Sequence, residues 1–207
     1  WSSDVCSSDL KKQKAPDPSL AQVQDTPGLP RVLLIGDSVS RGYTLAVRNT
    51  LAGRANVHRA PENCGGTSRA LAKLDVWLGE GKWDVIHFNF GIHDRATATA
   101  DYARRLEQII ARLRLTGATL IWASTTPIPD DPAQKQTAAS IVERNHIAAE
   151  VMARHQIPID DLYGAVLPKV EELRLPTPNV HFKESGYDFL GQTAASAIAL
   201  RLAPGKR

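Results

Sequence analysis

Cysteine is nearly absent: there are two among 207 residues, Cys6 and Cys64, and neither belongs to a Cys-x-x-Cys pair. That spacing excludes a thiolate zinc site and a dithiol redox motif, and Cys64 beside Gly65 reads as a space-filling residue. No apolar run reaches the roughly 20 residues that a membrane-spanning helix needs. Charge of one sign is scarce as well. The formal net charge is +3, and the arginines are dispersed, those near Arg104 and Arg112 falling on one helical pattern. A solvated helix face accounts for them, and no interleaved aromatics offer base stacking, which excludes a nucleic-acid stripe. There is no internal repeat. A phosphate loop is excluded because no Gly-Lys-Ser/Thr ending follows the first glycine turn. Position 40 is Ser where the elbow Gly-x-Ser-x-Gly requires Gly.

What is present is one domain's worth of chain with ordinary apolar and charged fractions. Its first thirty residues differ from the rest. Trp1 to Leu10 lack any periodicity and do not begin with Met, and they read as foreign sequence or a fragment boundary. Lys11 to Pro30 are rich in Lys, Gln, Pro and Asp, as a flexible linker would be. The expectation is a disordered or non-native segment 1–30 ahead of a folded domain 31–203. Export is favoured over retention, with the native amino terminus missing.

From Arg31 onward short apolar runs alternate with helical patterns. Strands are expected at Val32–Ile35, Asn56–Arg59, Val85–Phe90, Thr119–Ala123 and Ile157–Ile159, and helices near 41–52, 67–79, 98–115, 135–155 and 184–201. In the third helix Tyr102, Leu106, Ile109, Ile110 and Leu113 share a face, and Gly117 supplies a stop. Tyr187, Leu190, Ala194 and Ile198 share one in the last. Such alternation implies a parallel sheet of about five strands covered on both sides, a three-layer αβα sandwich.

The stretch Arg31-Val-Leu-Leu-Ile-Gly-Asp-Ser-Val carries the chemistry. It is a strand buried on both faces that ends in a turn and leads into a helix. A serine there sits at the carboxyl edge of the sheet, where α/β proteins build their sites, with helix N–H groups pointing at it. Alone, Gly36-Asp37-Ser38 is an ordinary turn or helix cap. Three further fragments follow in order: Glu62-Asn-Cys-Gly-Gly-Thr, Asn89-Phe-Gly-Ile-His-Asp, and Asn179-Val-His-Phe with Lys-Glu-Ser-Gly-Tyr behind it.

Together these four blocks resemble the GDSL, or SGNH, hydrolase family over residues 31 to 202. The resemblance implies a flavodoxin-like sheet and an esterase that works through an acyl-enzyme. Ser38 would be the nucleophile, His181 its base, and Gly65 (or Gly66) a backbone oxyanion donor. A serine needs such a base because its hydroxyl is a poor nucleophile at neutral pH. Asp37 would brace the turn. No metal or organic cofactor is implied. The substrate would be a small-molecule or carbohydrate ester, with acetyl or short acyl groups favoured because no lipid-binding lid is evident.

Two positions depart from the family pattern. The third block carries His93 where the family has Asn; imidazole also donates an N–H, so His93 is assigned to the oxyanion, with Asn89 the substitute. Pro178 stands where the family has the acid that orients the histidine, and proline can do neither that nor stabilise its charge. A Ser–His dyad held by a backbone carbonyl is ranked first, with Asp160 or Asp161 reaching across as the other possibility. An acyltransferase on the same fold and an inactive carbohydrate- or protein-binding module are the competing readings. His87, inside the third strand, reads as a hydrogen-bonded core residue; His58, His146 and His155 are assigned nothing. A receiver or flavin protein is disfavoured because the first strand ends in Gly-Asp-Ser rather than an acidic cluster. Oligomeric state is left open.

Overall fold

The computed structural model describes residues 17–134 and 136–202. Five parallel strands, β1 (Arg31–Ile35), β2 (Asn56–Arg59), β3 (Val85–Phe88), β4 (Thr119–Ala123) and β5 (Ile159–Asp160), form one sheet in the order β2-β1-β3-β4-β5. Between and after them run α1 (Ser38–Thr50), α2 (Thr67–Leu78), α3 (Thr99–Arg114), α4 (Ala138–Arg154), α5 (Leu162–Val166), α6 (Val170–Leu173) and α7 (Glu184–Ala199). Strand period two divides the core. Val32, Leu34, Val57 and Ile121 face α1 and α7 in one layer, while Leu33, Ile35, Ile86, Phe88 and Trp122 face α2, α3 and α4 in the other. This is the expected αβα sandwich. The third and fifth strands differ at their ends from the expected runs, and the short helices α5 and α6 lie outside the expected set.

Because every strand is parallel, all the turns that follow them open on one edge of the sheet. Gly36, Ala60, Asn89, Ser124 and Asp161 begin those turns. The chain leaves β1 toward β2 on one side and returns to β3 on the other, so the crevice between the ends of β1 and β3 is the topological switch point.

Residues 17–30 correct the linker expectation, because they are fastened to the domain. Arg48 donates to the carbonyls of Pro18 and Ala21 at 3.0 and 3.2 Å. Thr26 and the Asn56 amide exchange hydrogen bonds at 2.8 and 3.0 Å, and Asp25 bridges Arg31 and His58 at 2.8 and 2.6 Å. The composition is that of a linker, but its polar groups find partners on the β2 side of the sheet. The expectations for residues 1–16, Cys6 included, lie outside the described residues.

Helices α1 and α7 are pressed together at two glycines. A Cβ built on Gly191 would lie 2.3 Å from the Ala46 Cβ and 3.0 Å from the Tyr43 carbonyl, and one on Gly42 would overlap the Tyr187 ring. Since α1 begins with Ser38 and α7 follows His181, this contact sets the spacing of the site. Gly191→Ala is expected to cost about 1–3 kcal/mol by overpacking, read as a lower urea midpoint. Unchanged stability would show that the helices can separate freely.

Candidate active site

Asp37 caps α1, accepting from the N–H of Val39 at 2.9 Å. Ser38 is therefore the first residue of the helix, and its N–H is one of the donors that a helix leaves unpaired at its positive end. A proline-flanked loop brings His181 across from the far end of the chain. That loop is held by Leu175 N–H to His181 O and Lys183 N–H to Leu173 O, both at 2.9 Å, and by Phe182, which is buried against Tyr187.

The result is a contact of 2.9 Å between Ser38 Oγ and His181 Nε2. On the other side of the ring, Nδ1 lies 2.8 Å from Asn179 Oδ1, which also accepts the His181 backbone N–H at 2.9 Å. A backbone N–H can only donate, so the Asn179 atom facing it is the amide oxygen. The ring nitrogen facing that same oxygen must then carry the proton. Nε2 is left with its lone pair toward Ser38, the tautomer a general base requires.

Asn179 thus occupies the place expected for a backbone carbonyl or an aspartate. Asp161 is committed elsewhere: it caps α5 through Gly164 N–H at 3.0 Å and accepts from Ser124 Oγ at 2.9 Å. Asp160 is buried against His87, 2.8 Å from its Nε2, in keeping with the core role expected for His87. Pro178 lines the cleft, and a proline side chain offers the ring no hydrogen-bonding group. Asn179 lies in the block Asn179-Val-His, one residue after the position where the family pattern places the acid. An Asx turn over two residues is the signal that could have found it.

Ser38, His181 and His93 open on a cleft of about 580 Å³ that is also lined by Ile92, Arg95, Gln134, Gln136, Pro176, Pro178, Asn179 and Val180. His93 follows β3 and is exposed in this cleft. Asp94 beside it is buried and accepts from the Thr67 N–H and hydroxyl at 2.9 and 2.5 Å, welding the third block to the start of α2. Asn89, the substitute oxyanion donor, is used up, since its amide nitrogen donates to Ala123 O at 2.7 Å and Thr125 Oγ1 at 3.0 Å. Gly65 has a left-handed φ of 62°, and its N–H donates to Asn63 Oδ1 at 3.0 Å. It reaches an oxyanion only by sharing or releasing that bond, and it is not among the residues lining the cleft.

Two buried groups lie behind the nucleophile. Arg59, at the end of β2, directs its guanidinium at the turn before Ser38; burial lowers its pKa. Burial pushes the Cys64 thiol up to about 11, which keeps it protonated and inert, as expected of a packing residue. Among the described residues no group of three His, Cys, Asp or Glu side chains could hold a metal, and no helix is long and apolar enough to cross a membrane.

A model of the GDSL-like lipase/acylhydrolase family matches residues 34–189. The chain belongs to this family. As a GDSL-like member it is a hydrolase acting on ester bonds. Its fold is shared with a lipase/acylhydrolase from Enterococcus faecalis, 23% identical over 86% of this chain and 100% of that one, with a TM-score of 0.75. An acetyl xylan esterase is 15% identical over 81% and 99% of the two chains, TM-score 0.69. An acetylxylan esterase from Geobacillus stearothermophilus is 14% identical over 82% and 94%, also at 0.69. No curated protein matches.

Proposed function

We propose that this GDSL-like hydrolase cleaves small carboxylic esters, carbohydrate O-acetyl groups foremost, through an acyl-enzyme on Ser38. The observation that carries the reading is the 2.9 Å contact from Ser38 Oγ to a His181 whose other nitrogen is held by Asn179. His181 Nε2 takes the Ser38 proton as Oγ bonds to the ester carbon. The Ser38 N–H and the His93 ring receive the charge on the carbonyl oxygen, joined by the Gly65 N–H if it shares or releases its bond to Asn63. The imidazolium then protonates the departing alkoxide as its bond to the acyl carbon breaks, and a water activated by the same histidine releases the acid. A polar substrate is supported by the lining of the cleft, which includes His93, Arg95, Gln134, Gln136 and Asn179. Two neighbours in fold bear the name acetylxylan esterase, which points the same way. A panel of acetylated sugars and nitrophenyl esters of increasing chain length tests it: acetyl substrates should lead, and a preference for long acyl chains would overturn the polar-substrate reading.

Asn179 yields a directional prediction. A carboxylate stabilises the imidazolium where a neutral amide does so less, and charged hydrogen bonds exceed neutral ones by about 1 kcal/mol net. Asn179→Asp is therefore expected to raise plateau kcat about threefold to tenfold, exposure of the pair reducing the gain. Because the protonated ring is favoured, the acidic limb of kcat/KM moves to higher pH. Pro178→Asp and Asp161→Asn should leave that limb in place. If Asp161→Asn moves it and Asn179→Asp does not, Asp161 holds the ring.

A further inference from the structure

Arg59 is a charged side chain with 8% of its surface exposed, a costly placement unless its donors are used. Four contacts use those of Nη1 and Nη2, while Nε is buried without a partner. Nη2 donates to the carbonyl oxygens of Gly36 at 2.8 Å and Asp37 at 3.0 Å. Nη1 donates to Ser40 Oγ and, at 3.3 Å, to Thr44 Oγ1 on α1. Ordinary core packing at the end of a strand would need none of these, and an aliphatic residue would fill the space without burying a charge.

The carbonyl of Asp37 belongs to the same peptide plane as the N–H of Ser38. A trans peptide is planar, and its C=O and N–H point in opposite directions. Asp37 O is held by two donors, the helical N–H of Arg41 at 3.0 Å and Arg59, and together they fix the direction of Ser38 N–H, on the far side of the plane from Arg59. Asp37 Oδ1 accepts from the next N–H groups, those of Val39 and Ser40, rather than from that of Ser38. Gly36 O is gripped twice, by Arg59 and by the Cys64 N–H at 3.1 Å, which ties the first block to the second.

We propose that Arg59 is a positioning residue for the oxyanion site, aiming the Ser38 N–H through the carbonyls of Gly36 and Asp37. This rests on the reading of Ser38 as nucleophile and of its N–H as an oxyanion donor. The effect belongs to the transition state, where the carbonyl oxygen becomes charged, so it falls on kcat and spares KM. Removing a donor outright costs about 10²–10³ in turnover, and misaiming one costs less. The guanidinium reaches both carbonyls in a plane, whereas an ammonium at that site is a point donor.

The experiment is steady-state hydrolysis of p-nitrophenyl acetate by Arg59→Met and Arg59→Lys, with thermal unfolding of each and Ser38→Ala alongside. Arg59→Met is expected to lower kcat about thirtyfold with KM changed less than twofold, and Arg59→Lys to recover most of that loss. Combined with His93→Ala, the Arg59→Met loss should be less than multiplicative, because both variants weaken one oxyanion site. Folded variants of lowered Tm but wild-type kcat, or losses confined to KM, would overturn the proposal while leaving the esterase reading intact. Failure of Arg59→Lys to fold would make the residue purely structural and overturn it too. If Ser38→Ala keeps full turnover, the underlying reading fails instead.

Discussion

Ser38→Ala is expected to lower kcat for p-nitrophenyl acetate by on the order of 10⁵ or more, because no covalent intermediate can form. Helix α1 should survive the change, since its cap is Asp37 rather than Ser38. Whatever rate persists over water comes from the oxyanion donors and substrate binding. His181→Ala should cost about as much, and the double variant little more, because nucleophile and base act as a unit. In the wild type a fluorophosphonate should add one adduct, on the peptide containing Gly36-Asp37-Ser38, as intact mass and peptide mapping would report. A Ser38→Ala variant that keeps turnover, or an adduct on another serine, would sink the acyl-enzyme proposal.

His93→Ala is the second large effect, expected to reduce kcat by about 10²–10³, the usual consequence of deleting one oxyanion donor. KM should change little, since the bond strengthens only as the carbonyl oxygen gains charge. His93→Asn should recover much of the loss, because an amide N–H replaces the ring N–H at a position the family normally fills with Asn. Stability should barely move, as His93 is exposed in the cleft and its neighbour Asp94 carries the structural bonds to Thr67. Full turnover in His93→Ala would assign the oxyanion to the backbone N–H groups of Ser38 and Gly65. Asn89 could not take over, with its amide already shared between Ala123 and Thr125.

The fold was legible because its signals are local. Val32 to Ile35 form a continuous apolar run only because both faces of β1 are buried, and the face shared by Tyr102, Leu106, Ile109 and Ile110 lies against the sheet as its spacing requires. Helices α5 and α6 are too short to display a period. Residues 17–30 misled for a related reason. Their composition is that of a linker, and their order comes from Arg48 and Asn56, partners about thirty positions away.

The sequence by itself determined the αβα class, the strand-turn-helix setting of Ser38, and the four blocks that lead to the family. Each of these depends on residues adjacent in the chain or on one repeating period. Only the tertiary structure decided which groups converge. It set His181 against Ser38 across 143 positions, gave the imidazole to Asn179 rather than Asp161, turned the Gly65 N–H toward Asn63, and laid Arg59 beneath the nucleophile turn. Hydrogen bonds are directional and reach only about 3 Å, so a difference of one residue or one rotamer reassigns them. Apart from the two-residue Asx turns at Asn179 and Asn63, no pattern of residue types along the chain carries that information.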